Sequence, residues 1–288
     1  MRWNNRPNTG AAEAGSSHRG QERTTVANEG SIVQDYYRQQ AQQFRDTSES
    51  TMPDLVVRKK EVEAIIAFLS WVPSQPSPLR TLEAGCGNGF LMQQLCSKFS
   101  GKFEFYAVDV SPELLEIAKN RRLPCTFEIG DVRKTRFDDA FFDVIISERV
   151  IINILDPAEQ VQAYRELARI LCPGGCMVLV EGFKAGLENL NRARVEFLLP
   201  PIPEPTVNNW YTEERWQTFL AQGFEELSQE EKKGLPPWNF LSSHYFVTRF
   251  LHDLVRPPGG KLRNTEFAFF FSEALPPVGD YSPLRLKY

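Results

Sequence analysis

The stretch TLEAGCGNGF, from Thr81 to Phe90, decides the fold of this chain. It places Gly85, Gly87 and Gly89 within five residues, directly after a short apolar run. Glycine has no Cβ and tolerates positive φ, so a glycine cluster between a strand and a helix lets the backbone approach a ligand closely. The spacing is G-x-G-x-G, and Phe90 stands where the fingerprint G-x-G-x-x-G requires its third glycine. The stretch therefore predicts a ligand-binding loop that departs from the dinucleotide pattern.

Around this loop, apolar runs alternate with amphipathic helices between residues 78 and 182. The predicted helices SPELLEIAKNR and DPAEQVQAYRELARIL begin with Ser111 and Asp156 as N-caps, and proline follows each cap. The predicted strands are TLEA, FEFYAVDV, CTFEIGD, FFDVIIS and CMVLVEG. Strands that alternate with helices predict a parallel sheet covered on both faces, and such sheets bind ligands at the carboxyl ends of their strands.

The remaining segments are expected to serve this core. Residues 1–30 mix charges with Gly, Ser and Asn and lack a hydrophobic signal core, so we predict a disordered leader. Ser31 and Gln34 then stand at capping-box spacing and open a helical segment. We expect one domain over 31–288, made of an N-terminal helical lid (31–75), a binding core (78–182), substrate-side insertions (183–266) and a closing strand (267–288).

Composition narrows the class of protein. The chain is 42% hydrophobic and 24% charged, which is ordinary for a globular protein, and its net charge of −4 gives no support for general capture of nucleic acid. Five cysteines without a CxxC pair argue for a reducing compartment, and no apolar run is long enough to span a bilayer. We therefore predict a cytoplasmic protein. Three histidines and scattered cysteines show no metal-ligand spacing, so no metal site is expected.

The carboxylates at the strand ends indicate the ligand. Glu83 precedes the glycine loop, and a carboxylate there disfavours a pyrophosphate but suits a ligand that carries positive charge. Asp109 ends the next strand, where it could accept both hydroxyls of a ribose. Asp131 follows the third strand and could accept from an adenine amine while Val132 donates its backbone N–H. S-adenosylmethionine (SAM), with an ammonium, a sulfonium and an adenosine, meets all of these requirements.

The full set of predicted cofactor residues comes from the glycine loop, the following strand ends and the first helix. Tyr36 and Tyr37 are placed on that helix as residues that close over the cofactor, with plain aromatic packing as the alternative. The remaining members are Glu83, Gly85, Cys86, Gly87, Asn88, Asp109, Val110, Asp131, Val132 and Ser147.

These motifs resemble the class I SAM-dependent methyltransferase superfamily. The matching segments are LEAGCGNGF, YAVDVSPELLEIAK, FEIGDVR, FDVIISERV and ILCPGGCMVLVEG, which cover roughly residues 60 to 182. The resemblance implies a Rossmann-like, doubly wound α/β fold with a seven-stranded, mostly parallel sheet and an antiparallel last strand. By the same likeness, FEELSQEE and AFFFSEALPP…LRLKY should supply the last two strands. The flanking segments look like a bacterial subgroup with unassigned or surface-polysaccharide-related substrates.

Candidates for catalysis and acceptor binding lie outside the glycine loop. His244 is a candidate base, with a core histidine as the alternative, and Arg149 and Asn153 follow the fourth strand, where acceptor-binding groups often lie in this superfamily. Asn191 and Arg194 could bind an anionic acceptor, or they could lie on a solvated helix face. Trp210 and Tyr211 could line the acceptor site or pack beneath a loop.

The leading hypothesis is in-line methyl transfer to an oxygen or nitrogen of a small-molecule or sugar-like acceptor. A nucleic-acid or protein methyltransferase is an alternative, although no NPPY or DPPY motif follows the fourth strand. A non-catalytic partner or regulatory subunit with the same fold is another alternative. An NAD(P)-dependent oxidoreductase with a degenerate fingerprint is the last, and Glu83 and Phe90 argue against it.

Overall fold

A computed structural model describes residues 2–3, 22–47, 49 and 52–288 of the chain. The two helices before the glycine loop are α1 (Glu22–Phe44) and α2 (Leu55–Trp71). The helices that alternate with the central strands are α3 (Phe90–Lys98), α4 (Pro112–Asn120) and α5 (Pro157–Ile170). The later part of the chain contributes α6 (Lys184–Glu196), α7 (Glu213–Leu220), α8 (Ser242–Phe246), α9 (His252–Val255) and α10 (Glu266–Ala274).

One mixed sheet runs through the molecule. Its strands are β1 (Arg2–Trp3), β2 (Leu79–Ala84), β3 (Phe103–Asp109), β4 (Cys125–Ile129), β5 (Phe142–Glu148), β6 (Leu171–Gly182), β7 (Phe224–Glu225) and β8 (Leu284–Lys287). The order β4-β3-β2-β5-β6 is parallel throughout. β8 pairs antiparallel with the end of β6, and β1 pairs antiparallel with β6 at Cys176. The strand order reverses at β2, so the carboxyl ends of β2, β3 and β5 meet there.

The predicted Rossmann-like class, with a mostly parallel sheet and an antiparallel final strand, is confirmed. The predicted strand number is wrong: the described residues form eight strands, of which β1 and β7 have two residues each. FEELSQEE supplies only Phe224–Glu225, and that strand pairs with β1 instead of with β6. The run AFFFSEA is helical in α10, so the closing strand is confined to Leu284–Lys287.

An apolar layer covers each face of the sheet, so its central strands are buried on both sides. One layer packs α2 and α3 against side chains such as Phe105, Ile146 and Val180. The other packs α5 and α7 against side chains such as Ile145 and Leu179. The alternation of neighbours along β5, with Ile145 in one layer and Ile146 in the other, follows from the two-residue period of a strand.

The first helix begins earlier than predicted. α1 extends back to Glu22, so Ser31 and Gln34 lie inside the helix and do not cap it. Residue 1 and residues 4–21 of the predicted leader lie outside the described residues. Helix α2 begins after Asp54, whose carboxylate accepts a hydrogen bond from the backbone N–H of Val57 at 3.2 Å. Among the described residues, no helix combines the length and apolar content needed to cross a membrane.

Candidate functional site

A cavity of about 720 Å³ lies over the carboxyl ends of β2, β3 and β5. Helix α1 covers it through Val33, Gln34, Tyr37 and Arg38. Eleven of the residues predicted from the sequence as site residues line it, namely Tyr37, Glu83, Gly85, Cys86, Gly87, Asp109, Val110, Asp131, Val132, Arg149 and Asn153. The parallel topology brings these residues together because their strands end at one edge of the sheet.

The glycine loop depends on positive φ. The φ angles are 72° at Gly85, 52° at Gly87 and 73° at Gly89, values that L side chains rarely adopt. A Cβ at Gly85 would also lie 2.4 Å from Val150 Cγ2, so the loop and the segment after β5 are in direct contact. Asp109 holds the loop from the neighbouring strand, because its carboxylate accepts a hydrogen bond from the backbone N–H of Gly87 at 2.7 Å.

Asp109 is nearly fully buried and also accepts from the backbone N–H of Ser111 at 2.8 Å. Burial raises the pKa of its carboxyl group, and the backbone hydrogen bonds only partly offset that effect. Each of its oxygens uses one lone pair in these bonds, so each can accept a further hydrogen bond from a ligand in the cavity.

Glu83 stands out on the cavity wall. It is 2% exposed, and its Oε2 has no hydrogen-bond partner among the residues that the structure describes. Burial raises the pKa of Glu83 well above its ordinary value, and the charge of Glu148 adds to the shift. A buried acceptor without a donor is costly, so this atom is suited to a donor that arrives with a ligand.

A cluster of buried charges borders Glu83. Arg58 and Glu61 come from α2, Glu148 is the last residue of β5, and Arg149 follows it. Arg58 forms an ion pair with Glu148, and Arg149 pairs with Glu61 and, at 3.1 Å, with Glu148. Burial raises the pKa of Glu61; burial also opposes ionisation of Glu148, but the charges of Arg58 and Arg149 outweigh it and lower the Glu148 pKa to about 2. Arg149 adopts a φ of 53°, a strained backbone held by this network.

Asp131 also lines the cavity and is already paired. Its carboxylate accepts from Arg133 Nε at 2.9 Å, and Arg133 also pairs with Glu159. Burial works against ionisation of Asp131, yet the hydrogen bonds from Arg133 outweigh it and lower the pKa of Asp131. A ligand amine would therefore share this carboxylate with Arg133.

A hydrogen-bonded chain beside the cavity links α1 to the segment that follows α6. Asn208 Nδ2 donates to Asn153 Oδ1 at 2.6 Å, and Asn153 Nδ2 donates to Tyr37 Oη at 2.7 Å. Asn153 Nδ2 also donates to the Arg149 carbonyl at 2.6 Å. Asn153 therefore has polar partners within the protein, as its position in an apolar segment requires. Tyr36 does not line the cavity; its exposed ring packs edge-on against Tyr37, with the centroids 5.2 Å apart.

Two predicted cofactor residues support the cavity from behind. Asn88 Nδ2 donates at 2.9 Å to the carbonyls of Arg45 and Thr47, which ties the glycine loop to the chain after α1. Ser147 is fully buried and donates to Glu181 Oε1 at 3.0 Å. Ser147 turns away because the next residue, Glu148, faces the cavity, and neighbouring strand residues point to opposite sides.

His244 is not among the residues that line the cavity. It is buried, with Nδ1 hydrogen-bonded to Ser272 Oγ and Nε2 3.1 Å from Asp54 Oδ2. Arg249 also donates to Asp54 Oδ2 at 2.7 Å. Both ring nitrogens are engaged, so this position does not support the prediction that His244 is the base. The histidine joins α8 and α10 to the start of α2.

The predicted acceptor residues also lie outside the cavity lining. Asn191 bonds the backbone of Ile202 through both side-chain heteroatoms, at 2.8 and 2.9 Å. Arg194 is buried and pairs with Asp253 at 2.9 Å. Trp210 and Tyr211 are buried in the layer that contains α5 and α7. All four residues contact other parts of the protein and lie outside the cavity lining. Their positions therefore do not support the prediction that they bind an acceptor.

The sequence interpretation missed Arg58, Glu61 and Arg38. Arg58 and Glu61 belong to the buried face of α2, together with Ala64, Ile65 and Phe68. Charged residues at i and i+3 on the apolar face of a helix are a signal that could have identified them. Arg38 lies opposite α4, where its Nε donates to Glu113 at 3.1 Å, and no pattern within α1 predicts that partner.

Comparison with known proteins gives consistent matches. A family described as a methyltransferase domain matches residues 81–175. Demethylmenaquinone methyltransferase of Chlorobaculum tepidum is 32% identical over 59% of this chain and 69% of the relative. Malonyl-[acyl-carrier protein] O-methyltransferase of Bacillus cytotoxicus is 32% identical over 39% of this chain and 40% of the relative. The solved PH0226 protein of Pyrococcus horikoshii shares 22% identity and a TM-score of 0.47, over 59% of this chain and 83% of that chain. The matches span only 29% to 40% of the first three curated relatives.

Proposed function

Because the chain belongs to the class I SAM-dependent methyltransferase superfamily, we propose that it binds SAM in the cavity above the glycine loop. We propose further that it transfers the methyl group to an oxygen or nitrogen of a small-molecule or sugar-like acceptor. The observation that carries the proposal is the buried, unpartnered Oε2 of Glu83 on a wall formed by Gly85 and Gly87. A buried oxygen without a partner is stabilised by a hydrogen-bond donor, and the ammonium group of the cofactor would be such a donor.

The residues present fit the cofactor. Glu83 would accept from the ammonium, and the free lone pairs of Asp109 would accept from the ribose hydroxyls. Asp131 and the Val132 backbone would bind the adenine, with Arg133 as a second partner of the Asp131 carboxylate. When bound, SAM supplies a methyl carbon that its sulfonium has already activated.

The charge of the cavity supports a neutral or cationic acceptor. Four arginines and seven acidic residues line it, the acidic ones being Glu83, Asp109, Glu113, Asp131, Glu148, Asp156 and Glu159. The lowered pKa values of Glu113, Asp131 and Glu148 keep those three carboxylates ionised, and ionised carboxylates in a partly desolvated site repel phosphate groups. This favours a small neutral or amine-bearing acceptor over a nucleic acid.

The protein's contribution would be alignment and exclusion of water. Helix α1 covers the cavity, and the Asn208–Asn153–Tyr37 chain fixes one wall of it, so an acceptor can be held in one orientation. Glu148 has a lowered pKa, which makes it a weak base but a good hydrogen-bond acceptor for an acceptor hydroxyl or amine. We propose that Arg149 acts by holding Glu148 in place.

The test is calorimetric titration with SAM, with NAD as the control ligand, on the wild type and on Asp109→Ala. We expect micromolar SAM binding that the substitution abolishes and no signal with NAD. Binding of NAD, or of neither ligand, would overturn the proposal.

Acceptors are then screened by transfer of a labelled methyl group, with a nucleic-acid pool and a protein extract included. Transfer to either pool would favour the alternative acceptors, and tight SAM binding without any transfer would favour a non-catalytic partner subunit.

A further inference from the structure

Large apolar side chains are exposed at the ends of two helices, α6 and α9. Leu198, just after the end of α6, is 94% exposed, and Val255, the last residue of α9, is 71% exposed. With their exposed neighbours they form a set that we call the apolar tip: Phe197, Leu198, Leu254 and Val255. Single exposed apolar residues are common on protein surfaces, but several close together mark an interaction site.

Buried contacts hold the two helix ends next to each other. Arg194 on α6 is buried, and its Nη1 donates to the carboxylate of Asp253 on α9 at 2.9 Å. The ring of Phe197 packs edge-on against that of Phe250, with the centroids 5.2 Å apart. The exposed residues at these two helix ends therefore belong to one surface.

The backbone of Leu198 is strained as well as exposed. Its φ is 58°, in the left-handed region that leucine rarely adopts. Its N–H donates to the carbonyl of Val195 at 3.0 Å, so the end of α6 fixes this conformation. The exposed side chain adds little to the packing of the protein itself. A strained position of this kind points to a functional surface.

The loop that follows α9 carries positive charge beside the apolar tip. Residues 251–263 contain three arginine or lysine residues, Arg256, Lys261 and Arg263, and one carboxylate, Asp253. Arg256 lies 3.7 Å from Asp253. Lys261 and Arg263 are exposed and form no ion pair with another described residue. This surface is therefore locally basic, although the chain as a whole has a net charge of −4.

We propose that the apolar tip and the basic loop after it bind the surface of an anionic lipid membrane. Apolar side chains at protruding helix ends can enter the boundary between headgroups and acyl chains, and neighbouring Lys and Arg residues attract anionic lipids. A Cβ at Gly259 would meet nothing within 4 Å, so the loop is open enough to approach such a surface.

The charge of this surface argues against a second copy of the chain as its occupant. A twofold contact presents the same patch from both copies, so the basic loops would face each other and repel. An anionic membrane instead complements both the charge and the apolar side chains. The inference goes beyond the proposed function and does not depend on it.

The test measures binding of the full chain to phosphatidylglycerol vesicles, with phosphatidylcholine vesicles as the uncharged comparison. The wild type should bind the anionic vesicles at least about 10-fold more tightly. The double variant Leu198→Ser/Val255→Ser removes apolar area, and Lys261→Gln/Arg263→Gln removes two charges. Binding to anionic vesicles should weaken about 10-fold in the first and about 10- to 30-fold in the second.

Lys98→Gln/Lys119→Gln is the matched control, because it removes two exposed positive charges from the last turns of α3 and α4. It should change the affinity for vesicles by less than about twofold, since attraction to the surface falls off within a Debye length. Urea unfolding checks that each variant is folded, and if one double variant does not fold, the other decides.

Failure of the wild type to bind phosphatidylglycerol vesicles would overturn the proposal, as would equal binding to both kinds of vesicle or equal weakening by the control. A dimer in analytical ultracentrifugation that Leu198→Ser/Val255→Ser dissociates, without vesicle binding, would assign the apolar tip to a second copy and also overturn it. Titration of the same samples with SAM tests the proposed function separately, and these variants should leave that affinity unchanged.

Discussion

The Glu181 carboxylate accepts a hydrogen bond from the backbone N–H of Val150, with the nitrogen 3.0 Å from Oε1. The same carboxylate accepts from the N–H of Ile151 at 3.1 Å and from that of Ile152 at 3.3 Å. A buried side chain at the end of β6 thus satisfies three backbone donors in the segment after β5. That segment carries Val150 and Asn153 into the cavity lining, so Glu181 supports the site without facing it.

Replacing Glu181 with alanine should destabilise the protein strongly. The substitution leaves three backbone N–H groups without their acceptor, two of them buried, and such losses cost about 2–4 kcal/mol in total. Urea unfolding measures the change in the free energy of unfolding. Glu188→Ala, on an exposed position of α6, is the control and should change it by less than about 0.5 kcal/mol. Equal effects of the two substitutions would contradict this account of Glu181.

Alanine substitutions at two glycines with similar φ angles would distinguish the cost of backbone strain from the cost of a steric clash. Gly85 and Gly101 have φ angles of 72° and 80°. A Cβ at Gly85 would lie 2.4 Å from Val150 Cγ2, whereas a Cβ at Gly101 meets nothing within 4 Å. Gly101→Ala should cost about 1–2 kcal/mol of unfolding free energy, and Gly85→Ala should cost about 1–3 kcal/mol more. Urea unfolding of both variants would show the difference, and equal losses would mean that Val150 moves aside freely.

SAM binding should strengthen as the pH rises. In the free protein, burial and the charge of Glu148 raise the pKa of Glu83 well above its ordinary 4.5, so Glu83 tends to hold a proton. A bound ammonium favours the ionised form, so the complex holds fewer protons than the free protein. The affinity should therefore increase as the pH rises toward the raised pKa of Glu83 in the free protein, by at most about tenfold per pH unit.

Calorimetry across this pH range measures the effect. The affinity for 5′-methylthioadenosine, which has no ammonium, should rise less steeply with pH than that for SAM; some rise is expected because the pKa of Asp109, which would accept from the ribose, is also raised. Glu83→Gln should reduce the slope for SAM to that of 5′-methylthioadenosine. A SAM slope that stays unchanged in Glu83→Gln would place the titrating group elsewhere.

Removing His244 should affect stability and leave the chemistry of methyl transfer intact. His244→Leu takes away the partner of Ser272 and one partner of Asp54, both buried, and should cost about 2–4 kcal/mol. Urea unfolding measures this loss. The pH dependence of methyl transfer by the folded variant should match that of the wild type. Loss of transfer without loss of stability would restore His244 as a candidate base.

The sequence alone predicted the part of the site that depends on strand ends. Glu83, Asp109 and Asp131 each follow or end an apolar run, and parallel strands bring such positions to one edge of the sheet. Their convergence on one cavity could therefore be predicted without coordinates. The conformation of the glycine loop could also be predicted from the sequence. Three glycines within five residues indicate a backbone that adopts positive φ, which glycine tolerates without steric cost.

Predictions from local sequence patterns were wrong where tertiary packing determined the secondary structure or the direction of a side chain. The run AFFFSEA has the composition of a strand, yet it forms helix α10, which packs against α2 and α8. Ser147 is next to Glu148 in sequence, but the alternation of a strand turns the serine toward Glu181 and the glutamate toward the cavity.

What the sequence by itself determined was the class of fold, the glycine loop and the row of carboxylates, because strand periodicity and glycine spacing act over a few residues. The tertiary structure alone decided which cations stand opposite those carboxylates. Arg38 and Arg58 reach the cavity from the two helices before the glycine loop, and His244 lies outside the cavity lining, hydrogen-bonded to Ser272 and next to Asp54. Such pairings link residues far apart in the chain, and they are selected by the cost of burying a charge or a hydrogen-bonding group without a partner.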